Sequence, residues 1–299
     1  MTLQALIFDV DGTIADTEEV HRQAFNAAFL AMDLRWNWGA GEYMELLKVS
    51  GGPERLAHYV SRLKVSPEEK QRLTGLVPAI HREKTRLYHE LISGGRAPLR
   101  TGVLRLLNEA RAAGIRLALA ATSTTANVEA LVAATLGPKA LGWFSAVASA
   151  DNVANKKPAP DLYQRILGTL RLPAAACVAI EDSENGVRSA ESAGLYTIAT
   201  PSRWTMTQDF SEADLVLYSL GDPEAPLDPV TAKAIGAPQL GLGRITALHA
   251  ALSAQSLISI RAFAFSLSVS CSSSARRCSC IMRWARRSLI SSKVGALPP

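Results

Sequence analysis

Leu3-Gln4-Ala5-Leu6-Ile7-Phe8-Asp9-Val10-Asp11-Gly12-Thr13 begins as a largely apolar run of strand length and ends on two acids and a glycine. Residues i and i+2 share a face of an extended backbone, so Asp9 and Asp11 point the same way beyond the strand. In a sheet of parallel strands that is the end at which ligands collect. Gly12 supplies the backbone freedom to turn the chain away. Two acids held there suit divided labour: one attacks phosphorus as a nucleophile, while the other protonates the departing alkoxide and later activates water. Alone, the motif reads just as well as a solvated Asp-Gly turn.

Outward from this strand, apolar runs alternate with segments of helical period. Further strands are expected at Ile115 to Ala121, Ala146 to Ser149, Cys177 to Ile180, Leu195 to Ala199 and Asp214 to Leu217. Helices are expected between them near Gly102 to Ala113, Ala126 to Thr135, Asp161 to Leu170 and Asn185 to Ala193. This order predicts an α/β fold with a Rossmann-like, doubly wound parallel sheet. Residues 17–94 break the alternation and read as helices only, at Glu18 to Ala31, Gly52 to Leu63 and Pro67 to Glu90. The expectation is a helical cap domain over 17–94, inserted into a core of 1–16 and 95–220. Residues 221–253 then form a linker and a last short helix at Leu242 to Leu252.

The ends of the later strands carry polar clusters of their own. Thr122-Ser123-Thr124-Thr125 leads into a helix with hydroxyls and backbone amides suited to phosphate oxygens. Lys157, in Asn155-Lys156-Lys157-Pro158-Ala159-Pro160-Asp161, stands before a proline-fixed helix start and can neutralise nucleophile and phosphate together. Glu181 and Asp182 form a second acidic pair after a strand. Each has an ordinary reading: Thr122 as a helix cap, Lys157 as a solvated base, Glu181 and Asp182 as a turn. Together, two acidic clusters and a phosphate in one crevice would repel unless a hard cation sat between them, and Mg²⁺ fits that role.

These segments resemble the signature motifs of the haloacid-dehalogenase superfamily over about residues 1 to 220. The resemblance implies Asp9 as nucleophile and magnesium ligand, and Asp11 as general acid/base with its backbone carbonyl on the metal. It implies Thr122 and Ser123 as phosphate site, Lys157 as the neutralising lysine, Asp182 as a magnesium ligand, and Glu181 as a ligand or its support. The cap segments Asp16-Thr17-Glu18-x-x-His21, Lys48-Val49-Ser50-Gly51-Gly52-Pro53-Glu54-Arg55 and His81-x-x-Lys84 look like the CbbY-type branch, close to β-phosphoglucomutase. That branch implies a sugar-bisphosphate phosphatase acting on xylulose 1,5-bisphosphate, a misfire product of the carbon-fixing carboxylase. Lys48, Arg55 and Lys84 supply positive charge facing the core, and Glu18 and His21 can hold hydroxyls.

Composition narrows the partners. The 299-residue chain carries a formal charge of +5, but its 46 residues from Ala254 contain six Arg, one Lys, 12 Ser and no acid. The body is therefore mildly acidic, and no nucleic-acid or membrane partner is expected of it. The tail 254–299 reads as a basic, Ser/Arg-rich segment without ordered structure, or as an out-of-frame end. Cys177 is alone in the body, and Cys271, Cys278 and Cys280 lack the spacing of a zinc site, so a reducing cytoplasmic location is expected. With neither a signal-peptide pattern nor an apolar stretch of about 20 residues, the expectation is a cytoplasmic monomer acting on a small sugar phosphate. Two rivals stand beside the phosphatase: a sugar phosphomutase using the same residues, and a nucleic-acid-binding or regulatory protein working through its tail.

Overall fold

The structure, a computed structural model, describes residues 2–251. The expectations for the tail 254–299 and its three cysteines lie outside the described residues. Strand β1 (Ala5–Phe8) is followed by four helices, α1 (Glu18–Ala31), α2 (Ala40–Leu46), α3 (Gly52–Arg62) and α4 (Pro67–Ser93). The chain then alternates: α5 (Val103–Ala112), β2 (Arg116–Ala120), α6 (Thr125–Leu136), β3 (Phe144–Ala148), α7 (Asp161–Leu170), β4 (Cys177–Glu181), α8 (Glu184–Ser192) and β5 (Tyr196–Ala199). It closes with β6 (Leu215–Val216), α9 (Pro229–Ile235) and residues 242–251 of a last helix, α10.

All pairings in the sheet are parallel, in the order β3-β2-β1-β4-β5-β6, so β1 lies between β2 and β4 with its carboxyl end in the crevice where the winding reverses. The pleat sorts its residues: Leu6 and Phe8 join the apolar layer under α5 and α6, whereas Ala5 and Ile7 face α7. The second layer is rich in alanine, with Ala118, Ala120, Ala146, Ala148 and Ala179, which lets α7 approach the sheet closely. The expected α/β fold is the one observed, with strand ends displaced by one or two residues.

Helices α1 to α4 pack around an apolar cluster of their own that includes Phe25, Phe29, Trp38, Tyr43, Leu56 and Ile80. Helix α2 was not foreseen, because its seven residues start inside Gly39-Ala40-Gly41 and are too few to show a helical period. Its hold is tertiary, since Tyr43 and Leu46 are buried in that cluster. The chain leaves and re-enters the sheet through two segments that lie antiparallel: Ala15 bridges Leu99, Asp16 N–H donates to the Pro98 carbonyl at 2.9 Å and Arg100 N–H to that of Ile14 at 2.9 Å.

Helix α9 also lies within the part of 221–253 expected as linker. Pro229 occupies its first position, where a missing N–H costs nothing, and Asp228 accepts from the amides of Val230 and Thr231. The C-terminal segment is tied down by α5: Arg105 donates to the carbonyls of Leu220, Gly221 and Leu240, and Glu109 accepts from Leu242 N–H. Among the described residues no helix is long and apolar enough to cross a membrane.

Candidate active site

Asp9 continues the ladder past β1, its N–H donating to the Ile180 carbonyl at 2.9 Å. This places its carboxylate beside Glu181 and Asp182 at the end of the neighbouring strand. Lys157, carried on the segment before α7, donates to Asp9 Oδ1 at 2.5 Å, Glu181 Oε1 at 2.6 Å and the Ala120 carbonyl at 2.8 Å. Its ammonium thus has all three protons engaged. Burial works against that charge, yet Asp9 and Glu181 outweigh it and push the Lys157 pKa up. The buried Tyr163 hydroxyl of α7 also donates to Glu181 Oε1.

Two glycines make room for these acids. Gly12 has φ near +85°, and a Cβ there would stand 2.3 Å from Asp182 Oδ2. At Gly186, in the first turn of α8, a Cβ would stand 1.9 Å from Glu181 Oε2. Burial raises the carboxyl pKa values of Asp9 and Asp182, and Glu181 to about 7, against the pull of Lys157 on Asp9 and Glu181; repulsion from Asp11 adds at Asp9, from Asp9 at Glu181, and from both Asp9 and Glu181 at Asp182.

The donor set fits a hard divalent cation. Asp9, Glu181 and Asp182 each offer an oxygen within 4.8 Å of the others, and all three are buried. Asp9 Oδ2 is buried without a hydrogen-bond partner. Glu181 is less free, since its oxygens already accept from Lys157, Tyr163 and Asp182 N–H. Asp9 and Asp182 are therefore the better placed ligands, with Glu181 steadying Lys157.

Asp11 faces a second group of residues. Its Oδ1 accepts from Thr17 Oγ1 at 2.9 Å and from His21 Nε2 at 2.9 Å, while Lys84 Nζ stands 2.7 Å from His21 Nδ1. Burial lowers the His21 pKa to about 4 and that of Lys84 to about 7, so the imidazole is neutral at physiological pH. The geometry then sets the tautomer: Nε2 carries the proton and donates to Asp11, and Nδ1 accepts from Lys84. For Asp11, burial works upward, but His21, Thr17 and Lys84 outweigh it and bring the carboxyl down to about 2. Tyr88 stacks on His21 with ring centroids 4.1 Å apart.

A cavity of about 320 Å³ opens between these groups and the sheet, lined by Asp11, Glu18, His21, Arg55 and Lys84 from one side and Thr122, Ser123 and Thr124 from the other. Glu18 Oε2 accepts from Tyr43, whose hydroxyl accepts from Arg55 Nη1, both at 3.0 Å. Burial raises Glu18 to about 7. Ser123 Oγ accepts from Asn127, and the N-cap of α6 is Thr124, not Thr122.

Asp9, Lys157, Glu181 and Asp182 are thus brought together at the sheet edge, with Asp11, Glu18, His21, Arg55, Lys84, Thr122 and Ser123 around the adjoining cavity. Lys48 is not: its side chain is exposed and pairs with Glu45 at 2.6 Å on the outside of the turn. Sequence reasoning missed Tyr43, Tyr88, Tyr163 and Lys156. Lys156 pairs with Glu54 across the cavity mouth at 2.6 Å and was legible only as a neighbour of Lys157.

A family model described as haloacid dehalogenase-like hydrolase matches residues 3–194. Among curated proteins, the plasmid-borne protein CbbY of Cupriavidus necator is 50% identical over 227 residues, covering 75% of this chain and 89% of its own. Protein CbbY of Rhodobacter capsulatus is 49% identical over 214 residues, 72% of this chain and 92% of its own. Among solved structures, CbbY from Rhodobacter sphaeroides in complex with xylulose-(1,5)bisphosphate shares 43% identity and a TM-score of 0.67, covering 73% of this chain and 94% of that one. A β-phosphoglucomutase from Clostridium difficile, at 23% identity and TM-score 0.56 over 73% of this chain and 91% of its own, shares the fold. By family and fold, then, the chain is a phosphoric monoester hydrolase and belongs to the haloacid dehalogenase-like hydrolases.

Proposed function

We propose that the chain is a magnesium-dependent sugar-bisphosphate phosphatase working through an aspartyl-phosphate intermediate on Asp9, with xylulose 1,5-bisphosphate as preferred substrate. The observation that carries this reading is the meeting of Asp9, Lys157, Glu181 and Asp182 beneath a cavity whose far wall bears Arg55 and Lys84. One phosphate is then met by the core and the other by cations of the cap helices. The related CbbY held with xylulose-(1,5)bisphosphate supports the choice of sugar.

Asp9, Asp182 and the backbone carbonyl of Asp11 would hold magnesium, which when bound neutralises the phosphate and keeps it in line. An oxygen of Asp9 attacks phosphorus as the sugar oxygen leaves. Lys157 restrains Asp9 and screens the gathering charge. Asp11 is ionised in the free protein, so the incoming phosphate must raise its affinity for a proton, as like charge does. It then protonates the leaving oxygen. Returned to the carboxylate, and aimed by His21 and Thr17, it takes a proton from the water that hydrolyses the acyl phosphate. Residues 17–94 act as a cap that swings over the core of 1–16 and 95–220 to exclude water.

A phosphate-release screen over pentulose and hexose mono- and bisphosphates, with and without magnesium, tests the reading with wild type and Asp9→Asn. Release should require both magnesium and Asp9 and be fastest with xylulose 1,5-bisphosphate. Equal release from the two proteins would end the proposal, and a rearranged sugar phosphate in place of free phosphate would favour the mutase.

A further inference from the structure

We propose that Trp204 is a positioning residue: from a loop of the sheet core it sets the place of Tyr43, and through Tyr43 that of Glu18 and Arg55 on the substrate-facing wall. Its effect on catalysis rests on the sugar-phosphatase reading above.

Trp204 follows β5, on the core side of the molecule. Its indole is nonetheless only 2% exposed and lies in the apolar cluster of the cap helices, with Phe25, Tyr43 and Leu46. It meets the Tyr43 ring edge-on, with centroids 5.7 Å apart and planes at 89°, a favoured aromatic geometry. Tyr43 in turn holds two polar groups of that wall: its hydroxyl donates to Glu18 and accepts from Arg55, and the Arg55 guanidinium stands 5.3 Å from the centre of its ring.

The same loop reaches the other half of the site. Thr205 Oγ1 lies 3.5 Å from Asp182 Oδ2, and Ser202 Oγ accepts from the amide of Trp204 at 3.2 Å. One short turn therefore touches both a metal-site carboxylate and the ring that aims the cap. Two further ties between cap helices and core, Lys156 with Glu54 and Asn185 with Ser50, are polar and partly exposed, where water competes. The Trp204 Nε1 proton is buried without a partner, so the indole acts through its shape.

The test compares Trp204→Ala and Trp204→Phe with wild type on a sugar bisphosphate and on p-nitrophenyl phosphate, whose leaving group needs neither Glu18 nor Arg55. For Trp204→Ala, kcat/KM on the sugar should fall about ten- to a hundredfold, mainly through KM, as expected for a displaced binding group. On the aryl phosphate it should stay within about twofold, and Trp204→Phe should restore most of the sugar activity. Equal losses on both substrates, or none on the sugar, would overturn the inference.

Hydrogen exchange needs no turnover. Amides of residues 40–62 should exchange faster in Trp204→Ala while those of the sheet do not change. Unchanged exchange there would overturn the inference even if no sugar phosphate proved to be a substrate, an outcome that sinks the functional reading alone. Should the Ala variant not fold, Trp204→Leu, which keeps apolar volume but lacks the flat ring edge, is read the same way.

Discussion

Lys157 is the cation on which the buried acids depend. Its replacement by methionine strands Asp9 and Glu181 without a counter-charge, and breaking such a buried pair from one side costs about 3–5 kcal/mol. Urea unfolding of Lys157→Met should show a loss of that size together with the loss of phosphate release; a variant as stable as wild type would contradict the pairing. The pH dependence belongs to Lys84 and Glu18. Burial brings the Lys84 ammonium down to about 7, so its charge is present below that pH and lost above it. Burial raises Glu18 to about 7, so it gains negative charge over the same range. Both changes make the cavity less welcoming to an anion as pH rises, and KM for the sugar phosphate should climb above about pH 7. In Lys84→Gln the KM should be high throughout and the climb reduced to the Glu18 share, which Glu18→Gln removes. A wild-type KM that falls with rising pH would refute the assignment.

Among the elements, α8 offers the sharpest test. Gly186 lies within it, and alanine there would ordinarily favour a helix by about 1 kcal/mol. Here the added methyl meets Glu181 Oε2 at 1.9 Å, and overpacking of this kind costs about 1–3 kcal/mol. Gly186→Ala should therefore lower the melting temperature and slow phosphate release at least about tenfold, by moving Glu181 off Lys157. A gain in stability with unchanged kcat would show that Glu181 yields freely. The elements also show what was legible in the chain. Asp9 and Asp182 could be found because each ends or follows a strand signal, and Lys157 because it stands just before a proline-fixed helix start, which fixes all three at one end of the sheet. Tyr43 and Trp204 could not, since their contact joins a seven-residue helix without period to a loop 161 positions away. Lys48 was misplaced because its charge is legible but the face of the turn that carries it is not; its pairing with Glu45 turns it outward.

At the scale of the whole molecule, the acids gathered at the sheet edge should link folding to magnesium. A cation that binds only the folded state stabilises it by about 2.7 kcal/mol at a hundred times its dissociation constant. The melting temperature of the wild type should rise with magnesium, and that of a variant carrying both Asp9→Asn and Asp182→Asn should not. Identical responses would place the cation elsewhere. The paired segments that join the two layers of the protein have a mechanical meaning. Residues 14–16 and 98–100 form a narrow ribbon laced by backbone bonds on both sides of the Ala15 to Leu99 bridge. Such a ribbon flexes out of its plane more readily than it slides, so the closing movement proposed for the helices it carries would follow a single arc, as a door does on two pins. Each return would then bring His21 back over Asp11 in the alignment seen here, and repeated opening would not scramble the site.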